Sequence, residues 1–500
     1  MNRRLLVLFG LVLLVTAITS ENPFHPDEHF QIVEFAAFKM GLTPQAYLPW
    51  EYGAGLRPWL LPLVAFLCMK ALRAAFGADV FAATLFLRGL AAAISLASIV
   101  RLLRYTAGRE AKATWRAQAF FVLTAGFVPY LSVRFSSEGL SASLFTIAFT
   151  LLEERAPEST SRDRLLRELG AGLLFAAAFQ CRYQTIMMLG GYVGWRLFLQ
   201  RPPLARWLWP LLGFALGTVL ALFVDAWGYG RFVFPFYTYV HVNVLEGVAS
   251  KFSTEPFYAY AYLPLANVFV IPALVAMVSS VVFWIRRPRD PFTWIMAPTV
   301  LGFSLLGHKE ERFLFPLGIL AAFTVAPAFA GLRLFAWRRA LPVRVGWGLN
   351  VAIMLAMAVY PLHWRDRVPL ARTMTRTLGD TDVVYMDRAA STFFPAFRGR
   401  YSERELLPDC AVPTGAYVLT SGRGAPLPGA ELVYTEWPFG ARARDLRDWV
   451  QNAADGARRR FGPVVQPVAW YGLYRVSIAR PGNLDPCPER AFHPIATQKP

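Results

Sequence analysis

Apolar stretches long enough to cross a bilayer recur from the N-terminus to about Leu362, separated by short arginine-rich connections. A hydrocarbon core of about 30 Å takes about 20 apolar residues in helical form. Every backbone amide inside lipid must also be bonded within the protein, which restricts spanning segments to helices or closed barrels. The pattern therefore predicts an all-α polytopic membrane protein. Of 500 residues, 55% are hydrophobic and 17% charged, and one soluble core has no room for so many apolar runs. A net charge of +18 would point to nucleic acid in a soluble chain. Here the basic residues collect in connections, where they face anionic lipid headgroups, so a nucleic-acid partner is set aside.

The Arg/Lys-rich connections belong on the cytoplasmic side. They are Met1 to Arg4, Arg101 to Arg116, Arg155 to Arg167, Arg196 to Arg206, Arg286 to Arg289 and Arg333 to Arg344. The poorer ones then lie outside: Glu21 to Arg57, Phe135 to Glu138, the turn at Arg182, Trp227 to Tyr262, and His308 to Arg312. Parity fails if Pro58–Phe76 and Asp79–Arg104 both cross. The first carries Lys70 and Arg73, so it is assigned as an interfacial helix on the outer surface, beside another near Gln31–Met40. About eleven spans result: Leu5–Thr19, Asp79–Leu103, Trp115–Val133, Gly139–Leu152, Leu169–Cys181, Gln184–Leu199, Trp207–Trp227, Leu263–Ile285, Pro291–Gly307, Phe313–Trp337 and Val345–His363. The N-terminus imitates a signal peptide, but the many spans that follow favour an uncleaved first helix.

Residues 1–363 form the expected membrane domain and 364–500 a small outer α/β domain. The tail alternates short β-like runs (Val383–Met386, Tyr417–Leu419, Leu432–Tyr434, Leu473–Val476) with Pro/Gly-rich turns, and Arg442–Phe461 is amphipathic. Cys410 and Cys487 are a candidate disulfide if the domain faces an oxidising compartment.

Two charged clusters stand where charge is costly: His25-Pro26-Asp27-Glu28-His29 and His308-Lys309-Glu310-Glu311-Arg312. Pro26 with Asp27 and Glu28 suits a helix first turn, which is the structural reading of the pair. The functional reading is a general base that takes a proton from an attacking hydroxyl. His25 and His29 have i, i+4 metal spacing, yet no further His/Cys cluster accompanies them, so no metal is expected and they bind phosphate or sugar, or simply pack. His308, Lys309 and Arg312 run against the positive-inside trend and suit a leaving phosphate. Arg182 is their candidate partner, with a headgroup contact as its structural reading. Glu138, Asp225 and Asn243 add polar groups on this side, each weak alone, while the aromatics between Trp227 and Tyr262 suit an interfacial belt or a prenyl groove. No Walker or dinucleotide signature occurs.

These pieces resemble the GT-C mannosyltransferases of glycosyltransferase family 22, nearest to the type that adds the third mannose of the GPI anchor. The matching segments are His25 to Gln31 with Glu34, Trp50-Glu51-Tyr52 leading to Leu56-Arg57-Pro58, Phe135 to Glu138, Arg182 to Thr185, Asp225 with Tyr229-Gly230, Tyr239 to Leu245, and His308 to Phe313. The resemblance implies a polyprenyl-phosphate-sugar donor, inversion at the sugar, and no metal or other cofactor. It makes Asp27 the base with Glu28 its neighbour and gives His308, Lys309 and Arg312 to the donor phosphate; Arg182 is a further candidate for that phosphate, and His25, His29, Arg57, Glu138, Asp225 and Asn243 are candidates to bind substrate. The chain departs from the family at Phe135 to Glu138, where an arginine-threonine-x-serine-asparagine pattern is usual.

The expected function is transfer of mannose or a related hexose to a lipid- or glycan-linked hydroxyl on the outer membrane face. The location would be the inner membrane of a bacterium or the endoplasmic reticulum of a eukaryote. The rivals are a protein O-mannosyltransferase-like enzyme and a lipid or solute transporter. A transporter usually shows repeat halves with matching broken spans, which are absent from this sequence.

Overall fold

In a computed structural model of the chain, the described residues are 3–154, 160–251, 253–265, 269–331, 341–359, 367–379, 381–386, 402–405, 416–421, 430–435 and 471–476. Each expected apolar segment contains helix: Arg3–Thr19, Val80–Ala107, Lys112–Thr124 with Phe127–Ser132, Ser137–Glu153, Ser161–Cys181, Ile186–Trp195, Ala205–Tyr229, Val270–Arg286, Pro291–Leu305, Phe315–Ala328 and Leu341–Val359. Among the described residues, Val80–Ala107, Ala205–Tyr229 and Glu311–Ala328 are individually long and apolar enough to cross a membrane. Val270–Arg286 and Pro291–Leu305 pass together as a pair bent by 118°. The count of eleven crossings is an expectation of charge parity.

Trp115–Val133 is not one helix. Pro129 has no N–H for the carbonyl of Ala125, and the chain breaks at Ala125-Gly126. The Asn350 amide bridges that break, accepting from Gly126 N at 3.0 Å and donating to Thr124 O at 2.8 Å. Gly126 is required there, because a Cβ would come within 2.8 Å of the Phe269 ring.

Near Gln31–Met40 the chain forms a π-helix, His29–Val33, that runs into the helix Glu34–Lys39. The other expected interfacial segment is the helix Leu60–Phe76, ended by Gly77 in the left-handed region. Its face Leu61, Ala65, Met69 packs with Ile32, Val33 and Ala36 and with Ala83 and Leu87. The central core joins Phe9 and Leu13 to Leu102, Leu103, Val122, Phe145, Ala148 and Phe323 from four further helices. Leu211, Leu212, Leu216, Leu220 and Phe223 point outward from Ala205–Tyr229, as a lipid-facing surface requires.

After the helix Arg367–Thr377 comes a five-stranded sheet, in the order Ser402–Glu405, Val383–Met386, Tyr417–Ser421, Tyr471–Val476, Ala430–Thr435. The first three strands run parallel and the last two pair antiparallel. Strand Ser402–Glu405 was not expected, because its Ser-Glu-Arg-Glu sequence lacks the apolar alternation of a buried strand and suits a charged edge. Arg442–Phe461, Cys410 and Cys487 lie outside the described residues.

Candidate active site

The turn after the first helix brings Asp27 into position. His25 is the N-cap of a short helical turn, Pro26–Glu28, and its Nδ1 accepts from Asp27 N at 3.2 Å. The π-helix then widens the next turn, a distortion found mostly at functional sites. Asp27 and Glu28, adjacent in sequence, diverge to different arginines. Asp27 Oδ2 meets Arg312 Nη1 at 2.8 Å, while Glu28 Oε2 is 3.9 Å from Arg134 Nη1 and accepts from Phe24 N at 3.1 Å.

Arg312 sits at the centre. Its guanidinium reaches Asp27, Glu310 and, at 3.6 Å, Glu138 Oε1. The Glu310 carboxylate accepts from Arg312 Nε and, at 3.1 Å, from Nη2, and contacts His308 Nε2 at 2.8 Å and His25 Nε2 at 3.5 Å. Glu138 lies in the first turn of Ser137–Glu153, whose N-cap Ser136 accepts from Gly139 N at 3.1 Å, and it pairs with Arg182 Nη1 at 2.5 Å. Arg57 pairs with Glu51 at 3.4 Å, and Gln31 donates to the same carboxylate at 3.3 Å. Five separate chain segments thus converge on one polar cluster.

The environment separates the carboxyls. Burial would raise Asp27, but Arg312 and then His25 outweigh it and hold the carboxyl well below the usual carboxylate range. Burial pushes Glu28 up to about 7, with Arg134 offsetting it only in part. Burial and the nearby Asp27 raise Glu51 against the pull of Arg57. Glu310 is held low because its bonds to His308 and Arg312 exceed the cost of burial. Two neighbouring carboxyls with opposite shifts are what acid–base chemistry uses.

Beside the cluster a small cavity of about 40 Å³ is lined by Gln31, Arg57, Ser137, Arg182 and Gln184 together with Ile32, Leu61 and Pro62. The Nε groups of Arg57 and Arg182 are buried without a partner among the described residues. A larger apolar cavity of about 620 Å³ reaches the same region, with Phe24, Tyr130, Tyr260, Leu314 and Phe315 in its wall together with Glu311. Among the described residues no three His, Cys, Asp or Glu side chains are grouped to hold a metal.

Other sequence candidates stand elsewhere or are bonded to protein. His29 is buried and its Nε2 meets Glu34 at 2.6 Å, with Thr43 donating to the same carboxylate at 2.8 Å, so this ring braces the first outer segment. Asp225 accepts from Trp59 N at 2.7 Å and fastens Ala205–Tyr229 to the start of Leu60–Phe76. Lys309 Nζ donates to the carbonyls of Glu255, at 2.9 Å, and Leu306, which shapes the loop that carries Arg312. Asn243 donates to Tyr239 O at 3.1 Å within a second π-helix, His241–Leu245. Sequence reasoning missed Glu310, Glu51 and Arg134. Glu310 was visible two residues before Arg312, and Arg134 as a lone cation ending an apolar run.

The family model of the Alg9-like mannosyltransferase family matches residues 5–373. The chain belongs to that family. It is 27% identical over 318 residues to GPI mannosyltransferase 3 of Yarrowia lipolytica, covering 62% of this chain and 59% of that protein. It is 25% identical over 338 residues to GPI alpha-1,2-mannosyltransferase 3 of Xenopus laevis, covering 64% and 58%. The chain thus spans less than two thirds of the length of these two relatives. The fold is similar to that of ArnT from Cupriavidus metallidurans bound to undecaprenyl phosphate, with a TM-score of 0.53, 13% identity, and coverage of 87% of this chain and 97% of that one. That likeness, with the mostly helical architecture and several apolar helices, gives this member of the family a GT-C fold.

Proposed function

We propose that the chain transfers mannose, or a related hexose, from a polyprenyl-phosphate donor to a hydroxyl of a lipid- or glycan-linked acceptor on the outer membrane face. Asp27 is the general base. The observation that carries this reading is the 2.8 Å pair between Asp27 and Arg312, which joins two loops some 285 residues apart in sequence around partly unbonded arginines.

In the resting state Asp27 is a weak base, because Arg312 stabilises its ionised form. A donor phosphate is a better partner for Arg312, and on binding it releases Asp27 toward the acceptor. The acceptor hydroxyl then gives its proton to Asp27 as its oxygen bonds the anomeric carbon. The bond from that carbon to the phosphate oxygen breaks on the opposite face, inverting the centre. The leaving oxygen keeps the electron pair, and Arg312, Arg182 and Arg57 stabilise the growing charge. The 40 Å³ cavity at Arg57 and Arg182 has room for a few polar atoms of the donor, and the 620 Å³ apolar cavity suits part of a prenyl chain. His308 orients Glu310, which in turn holds Arg312.

The test is transfer from radiolabelled polyprenyl-phosphate mannose in membranes carrying the chain. Asp27→Asn is expected to lower turnover about 10²–10⁴-fold with unchanged expression and thermal unfolding. Turnover that survives the substitution removes Asp27 from the mechanism, and transfer from a nucleotide sugar alone overturns the donor.

A further inference from the structure

The cluster around Arg312 leaves a second group of arginines unused. On the far side of the Pro26–Glu28 turn is a separate cavity of about 50 Å³, lined among others by Asn22, Glu28, His29, Thr84, Arg88 and Arg134. A water molecule needs only about 10–15 Å³ of such space, so the cavity accommodates a larger polar group. Arg134 is 4% exposed and Arg88 7%. Arg134 Nη1 donates to Asn22 O and its guanidinium stacks 4.3 Å from the Tyr130 ring centroid, while its Nε and Nη2 are buried with no hydrogen-bond partner within normal geometry among the described residues. Arg88 donates through Nε to Ala17 O at 2.7 Å and through Nη1 to Glu21 O at 3.5 Å.

Among the described residues around this cavity, Arg88, Arg134 and Arg372 outnumber Glu21 and Glu28. Arg372 pairs with Glu21 at 2.8 Å, Glu21 O also accepts from Arg88 Nη1, and Glu28 is 3.9 Å from Arg134. Burial raises Glu28 to about 7, so near neutrality it offsets only part of the Arg134 charge. A buried guanidinium with unmade bonds is costly, and tetrahedral phosphate oxygens match its donors better than water does.

We propose that this cavity is a second anion site, which takes a phosphate ester of the acceptor substrate. The inference rests on the glycosyl-transfer reading and names the chemistry of its second substrate. Arg312, Arg182 and Arg57 already serve the donor phosphate on the Asp27 side. Glu28 and Asp27 are adjacent residues turned to different arginines, so an anion at Arg134 is anchored one residue from the base. An acceptor held there presents its hydroxyl to Asp27 while the donor occupies the Arg312 side.

The experiment is calorimetric titration of the purified full-length chain with inorganic phosphate, in detergent at neutral pH. The wild type is expected to bind at two sites. Arg312→Gln removes one. Arg88→Gln and Thr84→Asp each weaken the other about tenfold or more. Thr84→Asp supplies an internal carboxylate to the same arginines, so it empties the site of phosphate without leaving buried charge unpaired. Two-site binding that persists in both Arg88→Gln and Thr84→Asp overturns the proposal. Two-site binding that persists in Arg312→Gln while Arg88→Gln removes a site sinks the donor assignment and upholds this one. Repeating the titration in nanodiscs of phosphatidylglycerol and of a phosphate-free galactolipid separates the sources. Binding at the Arg88 site in both supports an acceptor phosphate. Loss in phosphatidylglycerol alone assigns the site to a bilayer headgroup and overturns the acceptor reading.

Discussion

At the residue scale, the site is set by what each carboxylate faces. Because Arg312 holds the free Asp27 carboxyl low, kcat/KM should stay level from about pH 8 to about pH 5, with its acid limb below the ordinary carboxylate range. An acid limb near neutrality would instead give the base role to Glu28. Glu28 also makes a stability prediction. Its folded carboxyl, raised to about 7, binds a proton more tightly than the usual 4.5 of the unfolded chain. The folded state therefore loses stability as pH climbs from that usual value through about 7. Thermal unfolding of Glu28→Gln should show a smaller fall over this window than the wild type. Arg312→Lys keeps the charge but loses the fork that meets Asp27, Glu138 and Glu310 together, and initial rates should show the donor KM raised about tenfold. The sequence made Asp27, Arg312, Arg182 and Glu138 visible as outer charges. It did not make visible that Lys309 would be consumed by backbone carbonyls or that Asp225 would fasten Trp59, because both depend on neighbours distant in sequence.

At the element scale, glycines set how closely two helices approach, and with them the position of Arg182. A Cβ on Gly172 would lie 2.2 Å from Pro210 O, and one on Gly213 would lie 2.2 Å from Leu169 O. Ser161–Cys181 and Ala205–Tyr229 thus touch backbone to backbone, the contact that small residues permit between membrane helices. Gly213→Ala should destabilise the chain by about 1–3 kcal/mol, read as a lower Tm in detergent. It should also lower turnover, since Ser161–Cys181 leads directly into Arg182. Apolar length revealed the helices because lipid demands it. The break at Ala125-Gly126 had a local sign in Pro129, but the Asn350 amide that bridges it comes from a segment more than two hundred residues away and was not legible.

At the scale of the whole molecule, charge parity gives an orientation open to direct test. A cysteine introduced at Glu255 in a cysteine-free background should react with a membrane-impermeant maleimide from outside, and one at Pro203 only after permeabilisation. The reverse pattern would put the Asp27 cluster on the cytoplasmic face. The strands of the tail were legible where short β-branched and aromatic runs lie between turns, as in Val383–Met386 and Tyr417–Ser421, and illegible in the polar edge Ser402–Glu405. The opening helix is more than a targeting device. Phe9, Leu13 and Ala17 are buried in the core, Ala17 O receives Arg88, and Thr19 Oγ1 donates to Ala358 O. Just beyond it, Asn22 accepts from Arg134 and from Val368 N, and Glu21 from Arg372. A foreign leader of equal greasiness would deliver the chain to the bilayer, but the aspartate eight residues downstream of Thr19 would have lost its foothold.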